Sequence, residues 1–351
     1  MKVKSCWALF VVGCCVMASV SARGAQSDNR TAGQSPAIRG PFPLLCTPYT
    51  DSGELDYEVL AEETKYVADQ GVNGIIWPPA GEALKVLTPE EERQAWLVMG
   101  HELKGRGIYL CCCCPGKDTA DSLRRIAVAE EIAATYPDVP VTMLVRMADT
   151  LKTEKGMDKF YSDVAKAARR PVIIQTFNGK TPAPSAKLLI DLSKRFPDRF
   201  GYVKDEGSAQ KINYHMAELV ADPAIKTVFT GWGGRDWLYQ YRRIGTRGAI
   251  TQRPHYAAFM VKLWKALEAN DPAADDLFAK WLYLRNMDDI LPADGMRGWN
   301  LYALRRLGVF RNMVSRKEKK EGEGWTLHET KLLPGEIAEI EARLRFVGLI
   351  K

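Results

Sequence analysis

The sequence lacks the patterns that mark several common functional classes. Its formal net charge is only +6 over 351 residues, and its densest basic cluster, residues 316–321, interleaves cations with acids and contains no aromatic residue. We interpret this cluster as a solvated loop and not as a nucleic-acid surface. Residues at metal-ligand spacing and the paired carboxylates of glycosidases are also missing. The sequence therefore predicts no bound metal and no nucleic-acid partner.

A disulfide framework is excluded by the number and placement of the cysteines. Three of the eight lie within the first fifteen residues, which leaves Cys46 and the consecutive run 111–114 for the folded part. Neighbouring residues of a strand point to opposite faces, so four adjacent cysteines cannot converge on one metal ion. We interpret them as small buried core residues. A redox role stays open because the compartment is predicted to be oxidising.

The N-terminus has one apolar run of the length of a targeting segment, and in this it differs from the rest of the chain. Two lysines precede an apolar run over residues 7–20, and residues 20–22 supply the small side chains of a signal-peptidase site. The run is too short to span a bilayer comfortably. We predict a signal peptide over 1–22, a flexible leader over 23–40, and an exported (periplasmic or secreted) protein without a stable membrane span. A lipidation box ending at Cys14 is the alternative.

From about residue 41, short apolar runs alternate with segments of helical period, as in successive βα units of a parallel sheet. Eight candidate strands predict a (β/α)8 TIM barrel over residues 41–270. One helix start is explicit, because Thr88-Pro89-Glu90-Glu91 combines an N-cap, a proline at the first helical position and a capping-box glutamate. The predicted strands cover 43–47, 74–77, 108–113, 141–145, 172–176, 201–204, 227–230 and 248–251. Helices over 273–286, 295–307 and 335–347 predict a small helical domain at 271–351.

The candidate catalytic group lies where the sixth strand ends. Reacting groups of such barrels sit at the C-terminal ends of the strands, where the loops face one common cavity. Lys204 is the last residue of the predicted strand 201–204 and should point inward. Loss of hydration among barrel side chains favours the neutral amine that attack on a carbonyl requires. The alternative is a lysine merely paired with a loop carboxylate such as Asp205 or Glu206, and position alone does not separate the two.

Several segments of the chain follow the order of motifs in a known enzyme family. They are Thr47-Pro48-Tyr49-Thr50 with Gly53, Gly71-Val72-Asn73-Gly74, Ala80-Gly81-Glu82-Ala83, Leu87-Thr88-Pro89-Glu90-Glu91, Tyr202-Val203-Lys204-Asp205, Thr230-Gly231-Trp232 and residues 245–251. On this basis the chain resembles the dihydrodipicolinate synthase and N-acetylneuraminate lyase family, Schiff-base class I aldolases that join or split 2-oxo acids and aldehydes. The resemblance implies that Lys204 forms the imine, that no metal or organic cofactor is needed, and that the family's usual homotetramer is open to this chain.

The residues that do chemistry in this family are altered here, which predicts a divergent member. The loop after the second strand reads Pro-Pro-Ala-Gly-Glu over residues 78–82, where the family has Gly-Thr-Thr-Gly-Glu. The backbone amides of Ala80 and Gly81, beside the retained Glu82, remain as candidates for binding the substrate carboxylate. Phe177 stands near the position of the proton-relay tyrosine on strand five and has no hydroxyl to move a proton.

Other polar residues are candidates for the missing roles. Arg146 and Asp149 follow the fourth strand, where the family has paired tyrosines. A guanidinium there could hold a carboxylate and the aspartate could move a proton, while plain loop salt bridges are the alternative. Six residues at the ends of strands seven and eight are predicted to lie at the rim where substrate is met: Trp232, Arg235, Asp236, Thr251, Arg253 and His255.

The leading hypothesis is an exported carbon–carbon lyase that acts on a 2-oxo acid or a sugar-derived acid. Lys204 forms the imine, which serves as the electron sink for cleavage or condensation. The alternative is a non-catalytic barrel that binds a sugar acid or an oxo acid. Loss of the relay hydroxyls favours that alternative, and the presence of Lys204 argues against it.

Overall fold

The protein is described here by a computed structural model that covers residues 36–81, 84–148, 150–176, 183–207, 211–291, 296–319 and 324–351. Eight short parallel strands form its centre: β1 (Gly40–Pro43), β2 (Gly74–Trp77), β3 (Tyr109–Cys113), β4 (Val141–Val145), β5 (Val172–Gln175), β6 (Tyr202–Asp205), β7 (Thr227–Thr230) and β8 (Gly248–Thr251). Each pairs with the next along the chain from β2 to β8, and β8 pairs with β1. A parallel bridge between Leu44 and Ile76 completes the ring. The predicted (β/α)8 barrel is confirmed.

Helices follow the strands and cover the outside of the barrel. They are α1 (Tyr57–Asp69), α2 (Pro89–Glu102), α3 (Thr119–Thr135), α4 (Glu154–Ala167), α5 (Ala186–Arg195), α6 (Ile212–Ala221), the short α7 (Trp237–Tyr239) and α8 (Ala257–Glu268). The predicted start of α2 is confirmed, because Thr88 Oγ1 accepts a hydrogen bond from the backbone N–H of Glu91 and the Glu91 carboxylate accepts one from the N–H of Thr88. Within the described ranges, no helix has the length and apolar character needed to cross a bilayer.

Four of the predicted strands have the observed bounds, and three more differ by one residue. The prediction for the first strand, 43–47, was wrong: β1 runs over Gly40–Pro43 in register with β8. Gly40 and Leu44 donate backbone hydrogen bonds to the carbonyls of Arg247 and Thr251 on the β8 side. In a parallel ladder alternate residues donate to the same neighbour, so the prolines at 41 and 43 occupy positions that need no N–H toward β8.

The barrel separates two apolar cores, and the cysteine run contributes to both. Cys111 and Cys113 belong to the inner cluster with Phe42, Phe229 and Ile250, whereas Cys112 and Cys114 face the helices. The alternation predicted for adjacent strand residues is therefore confirmed. All five described cysteines are buried. Burial raises the pKa of each thiol in the run above its usual range, so they are inert core residues in this state.

The chain after the barrel is mostly helical and packs against it. Its helices are α9 (Ala273–Arg285), α10 (Met287–Ile290), α11 (Met296–Arg306) and α12 (Pro334–Phe346). Side chains of α9, α11 and α12 share one apolar core with α8. The three predicted helices are found within one residue of their predicted bounds, although Met287–Ile290 was not anticipated.

An antiparallel hairpin, β9 (Val314–Glu318) and β10 (Trp325–Glu329), stands where the sequence indicated a solvated loop. That prediction was wrong for Arg316, which is 2% exposed. The Arg316 guanidinium donates to the carbonyls of Gly53 and Val86 and forms two hydrogen bonds with the Glu91 carboxylate, at 2.7 and 3.0 Å. It also lies over the Trp325 ring, 4.2 Å from its centre. Arg316 therefore attaches the hairpin to the barrel beside the loop that precedes α2.

Candidate active site

A cavity of about 510 Å³ opens at the C-terminal ends of the strands. Apolar side chains of β3, β4 and β8 form part of its wall, and charged side chains from the strand ends and the C-terminal part form the rest. The lining includes Ala80, Gly81, Lys85, Cys113, Arg146, Gln175, Lys204, Glu206, Trp232, Thr251, Gln252, Arg253, Arg285, Asp288 and Glu318. The position matches that of active sites in barrels of this architecture.

Lys204 lies in the cavity wall as the sequence predicted. It is the third residue of β6, it is 5% exposed, and its register partner on β5 is Gln175. Cys113 lies near Lys204 in the cavity wall. Burial raises the pKa of its thiol to about 12, and the positive charges of Lys204 and Arg146 act in the opposite direction. A primary amine is thus held in a mostly dry wall with open space above it, as attack on a carbonyl requires.

Glu206 pairs with Lys204 and is itself held on three sides. Its Oε2 lies 3.1 Å from Lys204 Nζ and accepts a hydrogen bond from Gln175 Nε2 at 2.6 Å. Its Oε1 accepts a hydrogen bond from the backbone N–H of Trp232 at 3.1 Å. Lys204 therefore combines the two arrangements that the sequence left open. It pairs with a loop carboxylate, and it also faces the cavity.

A second hydrogen-bond network, on the outer face of the strand, supports the Lys204–Glu206 pair. Asp205 follows Lys204 in the strand, points to the opposite face and is fully buried. Its carboxylate accepts a hydrogen bond from Thr176 Oγ1 at 2.6 Å and lies 2.8 Å from His215 Nδ1. Thr176 Oγ1 in turn accepts a hydrogen bond from the backbone N–H of Glu206 at 2.8 Å. The backbone on either side of Glu206 is therefore locked to β5.

His215 is the basic partner in this second network. Burial alone would lower its pKa, but the hydrogen bond and the negative charge of Asp205 outweigh burial and raise it. The other ring nitrogen, Nε2, lies 3.2 Å from the carbonyl oxygen of Pro184. Both ring nitrogens therefore face acceptors, which suits the imidazolium form.

The rim of the cavity carries charges from several elements. Arg253 forms an ion pair with Asp288 of α10, and Asp288 also accepts a hydrogen bond from Trp299 Nε1 at 2.9 Å. Lys85, after β2, pairs with Glu318 of the hairpin at 2.9 Å. The C-terminal part therefore supplies side chains to the mouth of the cavity, which the sequence did not indicate.

Two lining residues at the end of β8 have buried polar side-chain atoms. Thr251 Oγ1 and Gln252 Nε2 are buried, and neither has a hydrogen-bond partner within the described part of the chain. Both residues line the cavity at the end of β8. A buried hydroxyl or amide left without a partner is costly, so these two atoms are suited to bind a polar ligand.

The structure brings most of the predicted site residues to this cavity. Seven of them line it: Ala80, Gly81, Arg146, Lys204, Trp232, Thr251 and Arg253. Three predicted residues, Glu82, Asp149 and Phe177, lie outside the described residues. Arg235 and Asp236 pair with each other at 3.1 Å and are not among the described lining residues.

The expectation that His255 meets the ligand needs correction. His255 is fully buried, and the described lining of the cavity does not include it. Its ring packs edge-on against Tyr256 and Trp299, with ring centres 4.6 and 4.3 Å apart. A short 3₁₀ turn, Pro254–Tyr256, directs the ring into the apolar core shared with α11. Burial and the charge of Arg253 hold its pKa well below the usual range, so it is a neutral packing residue.

Sequence reasoning missed several lining residues. Glu206 was considered only as a counter-charge, although strand alternation places residues 204 and 206 on the same face and could have indicated its role. Gln175 could have been found from its place at the end of β5. Arg285, Asp288 and Glu318 had no such signal, because long-range packing alone brings them to the rim.

Comparison with known proteins gives a consistent picture. No family model matches the chain. A 4-hydroxy-tetrahydrodipicolinate synthase from Enterococcus faecalis is 25% identical over 228 residues, which is 64% of this chain and 74% of the relative. One from Lactobacillus helveticus is 22% identical over 244 residues, 69% of this chain and 74% of the relative.

Solved structures agree in fold. The dihydrodipicolinate synthase of Aquifex aeolicus superposes with a TM-score of 0.73 at 19% identity, covering 89% of this chain and 99% of that chain. A prophage protein of the dihydrodipicolinic acid synthase family from E. coli K12, solved in complex with pyruvate, gives a TM-score of 0.73 at 18% identity, covering 90% and 100% of the two chains.

Proposed function

We propose that this chain, a divergent member of the dihydrodipicolinate synthase family by its similarity to curated relatives, is a class I carbon–carbon lyase whose Lys204 forms a Schiff base with a 2-oxo acid or a sugar-derived acid. The observation that carries this proposal is the Lys204 amine, buried in the barrel wall at the end of β6 and facing a cavity of about 510 Å³. A cavity of that volume has room for a small organic acid.

The charges around the cavity support an anionic substrate. Of the described lining residues, five carry positive charge and three are carboxylates: Lys85, Arg146, Lys204, Arg253 and Arg285 against Glu206, Asp288 and Glu318. Arg146 projects from the end of β4, on the same wall as Lys204 and Cys113. A guanidinium binds a carboxylate through two parallel hydrogen bonds, so Arg146 replaces the loop hydroxyls of the family in holding the substrate carboxylate.

The remaining polar atoms fit the hydroxyl groups of a sugar-derived chain. Thr251 Oγ1 and Gln252 Nε2 line the same cavity without partners in the described ranges. Trp232, which is 36% exposed at the rim, offers an aromatic face to such a chain. With the carboxylate at Arg146 and the carbonyl at Lys204, the rest of the substrate points toward these groups.

The chemistry follows from the lysine imine. Its protonated nitrogen withdraws electrons from the adjacent carbon–carbon bond, which lets that bond break or form without a metal or an organic cofactor. A non-catalytic barrel could bind an anion with any suitably placed cation, whereas imine chemistry requires a primary amine that faces the cavity. The buried lysine therefore favours the lyase over the binding protein.

Borohydride trapping tests the proposal. We expect pyruvate, or one of a panel of sugar-derived 2-oxo acids, to be trapped covalently on Lys204 and detected by peptide mass spectrometry. Lys204→Ala should abolish the adduct. Lys85→Ala, which removes the other described lysine of the cavity wall, should keep it. Saturable binding of these acids with no adduct under borohydride would favour the non-catalytic alternative.

A further inference from the structure

We propose that Glu206 is the acid–base group that carries protons to and from Lys204 during imine formation and release. This inference rests on the proposed Schiff-base function and adds to it a residue that takes the part of the missing relay hydroxyl. No tyrosine is among the residues of the described chain that line the cavity. Among the described residues, the carboxylate paired with the reacting amine, at 3.1 Å, belongs to Glu206.

The geometry of Glu206 meets the first requirement for proton transfer, which is to lie within hydrogen-bond reach of the group that exchanges the proton. Its Oε2 faces Lys204 Nζ and is steadied by the Gln175 side-chain amide at 2.6 Å. Its Oε1 is held by the backbone N–H of Trp232. Both supporting donors are uncharged, so the carboxylate keeps its orientation whether or not it holds a proton.

The loop after β7 is shaped to receive this side chain. A Cβ atom at Gly231 would lie 2.1 Å from Glu206 Cγ and 2.8 Å from the carbonyl oxygen of Asp205. Only glycine permits that approach. The next residue, Trp232, adopts a positive φ of 49°, uncommon for a bulky residue, while its N–H reaches Glu206. Backbone features on a neighbouring strand thus fix the Glu206 carboxylate beside Lys204.

Glu206 supports every proton transfer of the sequence without a further reactant. Its carboxylate accepts a proton from the Lys204 ammonium, and the neutral amine adds to the substrate carbonyl carbon as the carbonyl electrons move to oxygen. Protonated Glu206 gives its proton to that oxygen and takes one from the new ammonium, which leaves a neutral carbinolamine and Glu206 protonated again. Protonated Glu206 then donates to the hydroxyl, the carbon–oxygen bond breaks, water leaves, and the nitrogen lone pair completes the iminium. Glu206 ends as the carboxylate it was at the start.

A purely structural role of Glu206 predicts a different effect of the Glu206→Gln substitution. If the carboxylate only orients Lys204, a glutamine would serve nearly as well, because its side-chain oxygen still accepts the lysine hydrogen bond. If the carboxylate moves protons, glutamine fails, because an amide takes up no proton in this pH range. Glu206→Gln therefore separates the two roles, and its thermal unfolding confirms that the variant is folded.

The experiment measures the rate at which pyruvate or the best-trapped acid of the panel becomes reducible by borohydride on Lys204. General acid–base catalysis contributes about 10²- to 10⁴-fold, so we expect Glu206→Gln to slow imine formation by at least about 100-fold. Binding of the matching 2-hydroxy acid, which cannot form an imine, should change little. Formate added to Glu206→Ala should restore part of the rate by filling the space with a free carboxylate.

Asp191→Asn is the matched control, because it breaks a lysine–carboxylate pair on the exposed face of α5 whose two residues are not among the described lining of the cavity. Its trapping rate should equal that of the wild type. A Glu206→Gln rate within about threefold of the wild type would overturn the role of Glu206 and leave the Schiff-base function standing. A wild-type protein that traps none of the acids would overturn both.

Discussion

Removal of the Arg316 side chain should destabilise the whole protein, because this guanidinium joins the C-terminal hairpin to the barrel. It is 2% exposed and is shared among the carbonyls of Gly53 and Val86 and the carboxylate of Glu91. Arg316→Ala would leave Glu91 without its charge partner. It would also leave two buried carbonyl groups without their donor.

The expected cost follows from the burial of the two partners. Breaking a buried ion pair by removing one member costs about 3–5 kcal/mol. The Glu91 side chain keeps 17% exposure, so part of its charge can be hydrated again after the arginine is lost. We therefore expect the lower end of that range, about 3 kcal/mol. Arg316→Lys should recover less than half of the loss, because an ammonium cannot reproduce the two parallel hydrogen bonds or the stacking on Trp325.

The same contact predicts a dependence on pH. Burial would raise the pKa of Glu91, but hydrogen bonds from Arg316 and from Thr88 lower it overall. A carboxyl whose pKa is lower in the folded state stabilises the fold above its unfolded pKa, and that contribution disappears as pH falls through the folded value. The stability gap between wild type and Arg316→Ala should therefore be full at pH 7 and shrink below about pH 4.

Urea unfolding of Arg316→Ala, Glu91→Gln and the double variant provides the measurement. A coupling energy of about 2 kcal/mol between the two residues at pH 7 is expected for groups that share direct hydrogen bonds. Arg311→Ala is the control, since Arg311 forms exposed ion pairs with Glu58 and Glu62 and should cost less than about 1 kcal/mol. A loss at Arg316 as small as that of the control would refute the argument.

Four further outcomes are expected. Arg146→Ala should raise the KM for the trapped 2-oxo acid by about 10- to 100-fold, because a charged hydrogen bond is worth about 1.5–3 kcal/mol, and initial rates would show it. His215→Ala should cost most stability below about pH 6.5 and less as pH rises, because Asp205 raises the His215 pKa and the benefit is lost as the folded imidazolium deprotonates; urea midpoints at acid and alkaline pH test this. The five described cysteines should resist a thiol reagent until the protein is unfolded, as timed labelling would reveal. Full-length protein expressed in a bacterial host should be recovered outside the cytoplasm with its N-terminus at residue 23, which N-terminal sequencing would check.

The barrel was largely predictable because most of its strands can be recognised from local sequence patterns. Most of β2 to β8 are short apolar runs bounded by polar or glycine-rich turns, and the count of eight restricts the architecture. The first strand was misplaced because the apolar run 43–47 looks more like a strand than the segment 40–43, which has prolines at 41 and 43. Their tolerance depends on which edge of the strand donates to β8, and that is a property of the assembled sheet.

The charged parts of the site and of the hairpin were less predictable. Arg316 belongs to a run that is typical of a solvated loop, and its burial becomes favourable only when Glu91 and the ring of Trp325 are brought to it from distant segments. His255 follows a strand end, as many site residues do, but the apolar groups of α11 draw its ring inward. In both cases the deciding partner lies far away along the chain.

Lys204, by contrast, could be identified from its own segment, because residues 204–206 contain both the reactive amine and the carboxylates that hold it in place. Strand alternation sends Lys204 and Glu206 to the cavity and Asp205 to the helices, where Thr176 and His215 hold it. The inner pair can exchange a proton, and the outer aspartate fixes the backbone from which that pair projects. Substitution of Asp205 would displace the backbone that carries Lys204 and Glu206 without removing a contact to the substrate. Its effect on the rate of imine formation should therefore come from a changed distance between these two side chains and not from a changed charge in the cavity.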